Sequence, residues 1–192
     1  DDIIVYQEAK SCEQEITKQV VVPSDKEFKA SVVSITHATC KGAQTGKVTF
    51  KMENLGGAGY RITEVNGALR SGAGYTTEIT APTFEVDGLR PGVNTIKFSN
   101  RTCGIVRTVT ITEPDELTLT ATISEPAMCS NNTKARVTLT AGGGTPPYTY
   151  IYQVGGNVTT QTSNVFTGVA PGTPTFRVVD KNGCSTQLTG IF

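Results

Sequence analysis

The chain has 192 residues, and its 17 Lys and Arg are balanced by 17 Asp and Glu. A formal net charge of zero argues against nucleic-acid binding, which usually comes with a basic excess. The apolar runs are far shorter than the roughly 20 residues of a membrane-spanning helix, so no span is expected. The chain shows no signal peptide at Asp1, which indicates a mature or excised fragment. A content of 31 Thr and 20 Gly without Trp is typical of a β-rich protein with many turns.

Short alternating segments predict strands along the whole chain. Residues 1–22 contain two of them. The predicted strands that follow are 27–35, 47–53, 60–65, 75–79, 83–86, 94–99 and 105–112, and then 116–123, 135–140, 148–154, 164–166, 174–179 and 185–191. Turn signals every 8 to 12 residues between such strands favour an all-β fold of small β-sandwiches. In the first strand after residue 22, Phe28, Ala30 and Val32 are expected to face inward, and in the strand 116–123 Ile123 is expected to do so.

Catalytic chemistry has few candidate residues. His37 is the only histidine, and no Gly-x-Ser-x-Gly motif is present, so neither a nucleophilic triad nor a histidine metal cluster is expected. The glycine-rich stretches 56–60 and 141–148 precede strand-like sequence, whereas a phosphate-binding loop opens a helix. We interpret His37 as a surface or strand-end residue and the glycine stretches as turns. The sequence predicts no enzyme, no cofactor and no metal site.

The sequence repeats itself. An alternating strand, a polar turn and a cysteine occur at 3–12, 95–103 and 175–184. A second type of cysteine, Cys40 and Cys129, lies before a strand in both later copies. Equivalent cysteines are therefore 91, 89 and 81 residues apart, from Cys12 to Cys103, Cys40 to Cys129 and Cys103 to Cys184. Such self-similarity indicates tandem domains.

The repeats predict three segments: residues 1–22 as the last strands of a truncated preceding repeat, 23–113 as one full repeat and 114–192 as the next. The junctions contain Pro23 and Pro114 and no glycine. Because proline stiffens the backbone and holds the preceding residue extended, we expect consecutive repeats to stack as an extended, semi-rigid rod.

Acidic residues cluster at both junctions. They are Asp25 and Glu27 at the first, and Glu113, Asp115 and Glu116 at the second. Calcium takes six to eight oxygen ligands, and each cluster offers two or three carboxylates. We favour a solvated acidic linker over a calcium site.

Several motifs resemble those of a known family. Cys40 and Gly42 precede the second strand, and the run Gly-Gly-Thr-Pro-Pro-Tyr-x-Tyr occupies 143–150. The turn Asp-x-Asn-Gly-Cys lies at 180–184, and Ile-Thr-Glu-Pro closes the first repeat at 111–114. This pattern is similar to the SprB repeats, which occur in tandem in large surface adhesins of gliding Bacteroidota. The resemblance covers nearly the whole chain.

The resemblance implies immunoglobulin-like repeats, type IX secretion, location on the outer face of the bacterial outer membrane, and a role in adhesion and gliding. It brings no catalytic residues. The sequence departs from the family where Asn94 and Pro174 occupy positions usually held by an aromatic residue. Tyr152 stands where a Trp is expected late in the third strand.

Five cysteines in an exported chain predict disulfides, because that compartment is oxidising. We favour pairing within each repeat, Cys40 with Cys103 and Cys129 with Cys184, which leaves Cys12 to a partner upstream. Alternating strand directions in a seven-strand sandwich would place Cys40 and Cys103 at opposite ends, beyond the ~7 Å that a disulfide allows. Either a strand is missing between them, or the bond is Cys40 to Cys184, between repeats.

Three functions are considered. The favoured one is a structural or adhesive repeat of a surface filament, with the neighbouring repeats of the same chain as partners and an extracellular surface or polysaccharide as a possible ligand. The second is a carbohydrate-binding module in which Tyr148, Tyr150 and Tyr152 form a stacking face, since alternate strand residues share one side. The third is an accessory domain of a secreted enzyme.

Overall fold

A computed structural model describes residues 3–10, 14–21, 27–101, 103–126 and 133–190. The regular structure of these residues is entirely β. The strands are β1 (Ile3–Lys10), β2 (Gln14–Val21), β3 (Lys29–Thr36), β4 (Gly46–Glu53), β5 (Tyr60–Val65), β6 (Thr83–Leu89), β7 (Gly92–Asn100), β8 (Gly104–Ile111), β9 (Thr118–Glu125), β10 (Ala135–Gly142), β11 (Thr149–Val154), β12 (Asn157–Gln161), β13 (Val165–Val169), β14 (Thr175–Val179) and β15 (Ser185–Thr189). Antiparallel pairing joins β1 to β2, β3 to β4, β5 to β7, β7 to β8, β9 to β10, β10 to β13, β11 to β12, β11 to β14, and β14 to β15.

The chain divides into two compact units. The first comprises Asp1–Thr36 and Lys47–Ile111, and the second comprises His37–Gly46 and Thr112–Phe192. The loop that connects β3 to β4 therefore belongs to the second unit, although it leaves and re-enters the first. The predicted repeats, 23–113 and 114–192, placed this loop in the first repeat instead. That residues 1–22 close a preceding repeat stays a prediction; their strands β1 and β2 form a separate two-stranded sheet.

The first unit contains two three-stranded sheets, in the orders β3-β4-β6 and β5-β7-β8. Their inner faces share one core, in which the rings of Phe50 on β4 and Phe98 on β7 pack edge to face with centroids 4.9 Å apart. Phe28 and Ala30 are buried as predicted. The prediction for Val32 is wrong: its side chain is 46% exposed, because the pairing of β3 with β4 shifts register between Val32 and Ser34.

The second unit contains the sheets β9-β10-β13 and β12-β11-β14-β15. Apart from the additional β12, this is the strand order of the first unit. Eight residues from β10, β11, β13 and β14 form its buried core: Ala135, Val137, Leu139, Tyr150, Phe166, Val169, Phe176 and Val178. Ile123 was predicted to face inward but is 41% exposed, next to a register shift in the pairing of β9 with β10.

One predicted strand is absent from the structure, and one observed strand was not predicted. Residues 75–79 form no strand and make only isolated bridges, such as Tyr60 with Ile79. The strand β12 was not predicted, because its residues are mostly exposed and show no apolar alternation. It pairs with β11 through a tight turn at Gly155 and Gly156, a connection typical of hairpins.

Candidate functional site

Residues 37–46, the anchored loop, are fixed in the second unit by a disulfide. Cys40 is bonded to Cys184, 144 residues away in the sequence, and their Cα atoms lie 5.7 Å apart. This spacing is in the usual range for a disulfide. Cys184 lies in the turn between β14 and β15, so the bond ties the loop to the end of a hairpin.

The favoured pairing of Cys40 with Cys103 is therefore wrong, and so is that of Cys184 with Cys129. The physical reason is that the loop with Cys40 belongs to the second unit, where Cys184 lies within bonding distance. Cys103 is an exposed free thiol. Cys12 and Cys129 lie outside the described residues.

A salt bridge holds the loop next to the disulfide. The Lys41 ammonium donates to one carboxylate oxygen of Glu113 at 2.5 Å, and the Gly42 amide donates to the other at 2.6 Å. These two hydrogen bonds lower the pKa of Glu113, and the same carboxylate raises the pKa of Lys41. Both oxygens of Glu113 thus bind the loop.

Three further hydrogen bonds attach the first residues of the loop. The Ala38 amide donates to the Thr112 carbonyl at 3.0 Å, and the Thr112 amide donates to Nδ1 of His37 at 3.0 Å. The Asn182 side-chain amide donates to the Thr39 carbonyl at 3.2 Å. His37 lies just after β3, at a strand end as predicted, and acts as a hydrogen-bond acceptor.

The turn that carries Cys184 is organised by a buried carboxylate. Asp180 is 5% exposed. Its oxygens accept the amides of Thr145 at 2.8 Å, Asn182 at 2.8 Å and Cys184 at 2.9 Å. A carboxylate that receives three amide donors needs no cation partner and rigidly closes the turn. The motif 180–184 therefore presents Cys184 in a fixed position.

The glycine run of the second unit packs against the segment that follows Glu113. The Gly144 amide donates to the Asp115 carbonyl at 2.9 Å. Gly143 has φ +68°, and a Cβ at this position would overlap the Glu116 carbonyl oxygen. Only glycine fits this close approach of two backbones. The glycine run at 141–148 thus allows its backbone to pack closely against residues 115–116.

The calcium alternative gains no support from these residues. Both oxygens of Glu113 are engaged by the loop. Among the described residues, no group of three or more His, Cys, Asp or Glu side chains could hold a metal ion. Asp25 lies outside the described part of the chain.

The predicted tyrosine stacking face is not available at the surface. Tyr150 is 7% exposed, and Tyr152 stacks on Phe176 with ring centroids 5.2 Å apart. Tyr148 packs against the same core and donates its hydroxyl to the Gly143 carbonyl at 2.6 Å. The three tyrosines do share a side of the strand, but that side faces the core.

Comparisons with known proteins do not identify a family for this chain. No family model matches the chain, and no curated protein matches it. Among solved structures, the chain is similar to the C-terminal 282-residue fragment of intimin, determined in complex with the intimin-binding domain of the translocated intimin receptor. The TM-score is 0.36 and the identity 15%, with 84% of this chain and 64% of that chain covered. The chain thus spans less than two thirds of that fragment.

The described residues contain no helix of the length and apolarity needed to cross a bilayer.

Sequence reasoning named Cys40, Cys184 and Glu113 but did not connect Glu113 with the loop. It quoted Asp180 only as part of a motif. The signal that could have found its role was its place in an Asp-x-Asn turn, where the side chain characteristically binds its own backbone.

Proposed function

We propose that this chain is part of a large, exported bacterial surface protein whose units are structural and adhesive rather than enzymatic. The motifs at 143–150 and 180–184 support an SprB-type repeat. The shared strand order of the two units supports tandem copies. The surface location, type IX export and the part played in gliding follow from the sequence resemblance.

The Cys40–Cys184 bond is the observation that carries the mechanical part of the proposal. It closes a covalent loop that contains residues 41–183, which include the strands from β4 to β14. A force applied to the two ends of the chain passes from β3 to Cys40, across the disulfide to Cys184, and on to β15. The residues inside the loop are bypassed.

This bypass limits how far the protein extends under load. At ~3.3–3.6 Å per extended residue, the enclosed segment would otherwise contribute roughly 500 Å. Because the disulfide is covalent, it withholds that length even after the strand ladders break. A stalk built from such units keeps its reach under tension, which is what a surface filament requires.

The chemistry of the bond also supports export. Disulfides persist in oxidising compartments and on cell surfaces, whereas the cytosol keeps thiols reduced. The partners proposed are neighbouring repeats of the same chain and an extracellular surface.

Single-molecule force spectroscopy tests the proposal. The chain is held by handles at its termini and stretched in its oxidised form and as the Cys184→Ser variant. We expect the variant to release roughly 500 Å more contour length than the oxidised protein. The control Cys103→Ser, which removes a free thiol, should extend like the parent chain. Full extension of the oxidised protein to the length of the variant would contradict the proposal.

A further inference from the structure

The first unit contains a cavity of about 260 Å³ beside the edge strand β5. The segment between β5 and β6 forms one wall of it. The lining consists of two arginines, two threonines, one leucine and one tyrosine, with no acidic residue: Arg61, Thr63, Leu69, Arg70, Tyr75 and Thr76. Because Arg70 is paired with Asp87, the charge that this cavity offers to an anionic ligand comes from Arg61.

The segment that forms this wall of the cavity is fixed against β5. The Ile62 amide donates to the Gly74 carbonyl at 2.7 Å, and the Tyr60 amide donates to the Ile79 carbonyl at 2.9 Å. At Gly74, with φ +81°, a Cβ would overlap the ring of Phe84. Since these bonds occupy backbone groups along the β5 edge, the edge is not open for a peptide to add as another strand.

Arg70 is held in place before any ligand arrives. Its guanidinium donates to the Asp87 carbonyl at 2.8 Å and lies 3.5 Å from the Asp87 carboxylate. It also lies over the ring of Tyr75, 5.9 Å from the centroid. With its side chain 27% exposed, Arg70 is a preorganised cation at the cavity wall.

Arg61 is the second cation, and its guanidinium is available. It is exposed on β5 and makes no hydrogen bond or ion pair with any side chain in the described part of the chain. An arginine offers five donors in a planar fork that matches a carboxylate. Leu69, 84% exposed, adds apolar surface at the rim.

The cavity does not follow from the strand order that the two units share. In the second unit the corresponding strand β11 continues through Gly155 and Gly156 into β12, which covers the position. The first unit has instead the longer segment that carries Leu69, Arg70 and Tyr75. The additional residues therefore build a feature specific to the first unit.

We propose that this cavity binds a single carboxylated sugar residue of an acidic polysaccharide. The volume is below the ~300 Å³ of the smallest typical ligand sites, which suits one sugar ring. Arg61 binds the carboxylate, and the Tyr75 hydroxyl, which accepts from Arg70 at 3.5 Å, donates its proton to a sugar hydroxyl. The covered β5 edge disfavours an acidic peptide, which would need backbone partners.

The inference deepens the proposed function by naming a ligand class for adhesion, and it rests on that function for its biological context. Its test is separate. Failure of binding leaves the force measurement unaffected, and failure of the force measurement leaves the binding measurement unaffected.

The test is a titration of the full chain with trigalacturonate, followed by NMR chemical shifts and calorimetry. We expect saturable shifts at residues lining the cavity. The Arg61→Gln variant should bind about tenfold more weakly or worse, because it loses charge-assisted hydrogen bonds. The matched control is Arg177→Gln, which removes an exposed strand arginine of the second unit and should bind like the parent chain.

Three outcomes would overturn the inference. The first is absence of saturable binding by trigalacturonate. The second is equal binding of the fully methyl-esterified trisaccharide, which would show that the carboxylate plays no part. The third is tighter binding of hexaglutamate at the same residues, which would identify an acidic peptide as the ligand.

Discussion

The sulfur atoms of Cys40 and Cys184 are bonded although 144 residues separate them in the sequence. Three successive residues of the anchored loop each bind a different partner of the second unit. Thr39 accepts from Asn182, Cys40 bonds Cys184, and Lys41 pairs with Glu113. A loop that emerges from strands of the first unit is thereby fixed within the second by covalent, polar and ionic contacts.

Removing the disulfide should destabilise the second unit. In the chain-entropy account, closing a loop of this length stabilises by up to about 5 kcal/mol, and measured values are typically 2–4 kcal/mol. We expect Cys40→Ser and Cys184→Ser each to lower the free energy of unfolding by about 3 kcal/mol in urea titrations. The double variant should lose no more than either single one.

The matched control for this prediction is Cys103→Ser. Because Cys103 is an exposed free thiol, its replacement should leave the unfolding midpoint unchanged. A loss of stability in this variant equal to that of Cys40→Ser would contradict the pairing seen in the structure.

The strands could be predicted wherever one face is buried. The alternation of Val48, Phe50 and Met52 matches the inward face of β4, and all three are buried. The apolar alternation did not predict the structure where the side chains of a strand are exposed. β12 has no apolar alternation, and Val32 leaves the inward phase at a register shift. Period-two reasoning detects burial, so it misses exposed strands and bulges.

The site was only partly predictable, because its contacts join residues far apart in the sequence. Cysteine spacing named Cys40 and Cys184 among four candidates and kept their pairing as the alternative, but repeat symmetry favoured Cys40 with Cys103. What the sequence could not show is that residues 37–46 belong to the second unit. The inward direction of Tyr148, Tyr150 and Tyr152 depends on which side of β11 meets the other sheet. Alternation alone leaves that choice open.

Asp180 should be the most sensitive polar residue of the cysteine turn. Asp180→Ala leaves three backbone amides without their acceptor, so we expect a loss of about 3 kcal/mol in the free energy of unfolding. Asp180→Asn keeps one acceptor oxygen and should lose less. A single amide oxygen can bind a cysteine amide in this way, as Asn100 shows: its side-chain oxygen accepts the Cys103 amide at 2.7 Å. Urea unfolding measures both.

The neighbouring Lys181→Ala is the control for the turn. Its side chain is exposed, and the hydrogen bond to Thr145 comes from its backbone amide. We expect no more than a few tenths of a kcal/mol. If Asp180→Ala proved as mild as Lys181→Ala, the carboxylate would not organise the turn.

Alanine substitutions at Gly143 and Gly155 distinguish the cost of steric overlap from the cost of backbone strain. Both have positive φ, +68° and +56°, but only Gly143 would place a Cβ against another backbone. Gly155→Ala should cost about 1 kcal/mol for the left-handed conformation. Gly143→Ala should cost ~3 kcal/mol or more, because the Glu116 carbonyl must also move. Differential scanning calorimetry of both variants measures the contrast, and equal losses would refute the close approach.

The salt bridge between Lys41 and Glu113 should make the anchored loop sensitive to acid. The pKa of Glu113 is lowered in the folded protein by its bonds to Lys41 and Gly42. Its contribution to stability is therefore complete above the ordinary pKa of a glutamate and is lost as the pH falls through the lowered value. For Lys41, whose pKa is raised, the contribution is complete at neutral pH and is lost only in strong alkali.

Thermal unfolding from pH 7 to pH 2 tests this with Glu113→Gln. The parent chain should have the higher Tm at pH 7, and the difference should shrink as Glu113 is protonated. Glu85→Gln is the control, since Glu85 pairs with Lys47 at 3.0 Å in an exposed ion pair of the first unit. That substitution should change Tm little at any pH, because isolated surface pairs contribute little. A Tm difference for Glu113→Gln that stays constant down to pH 2 would show that the ionised carboxylate does not hold the loop.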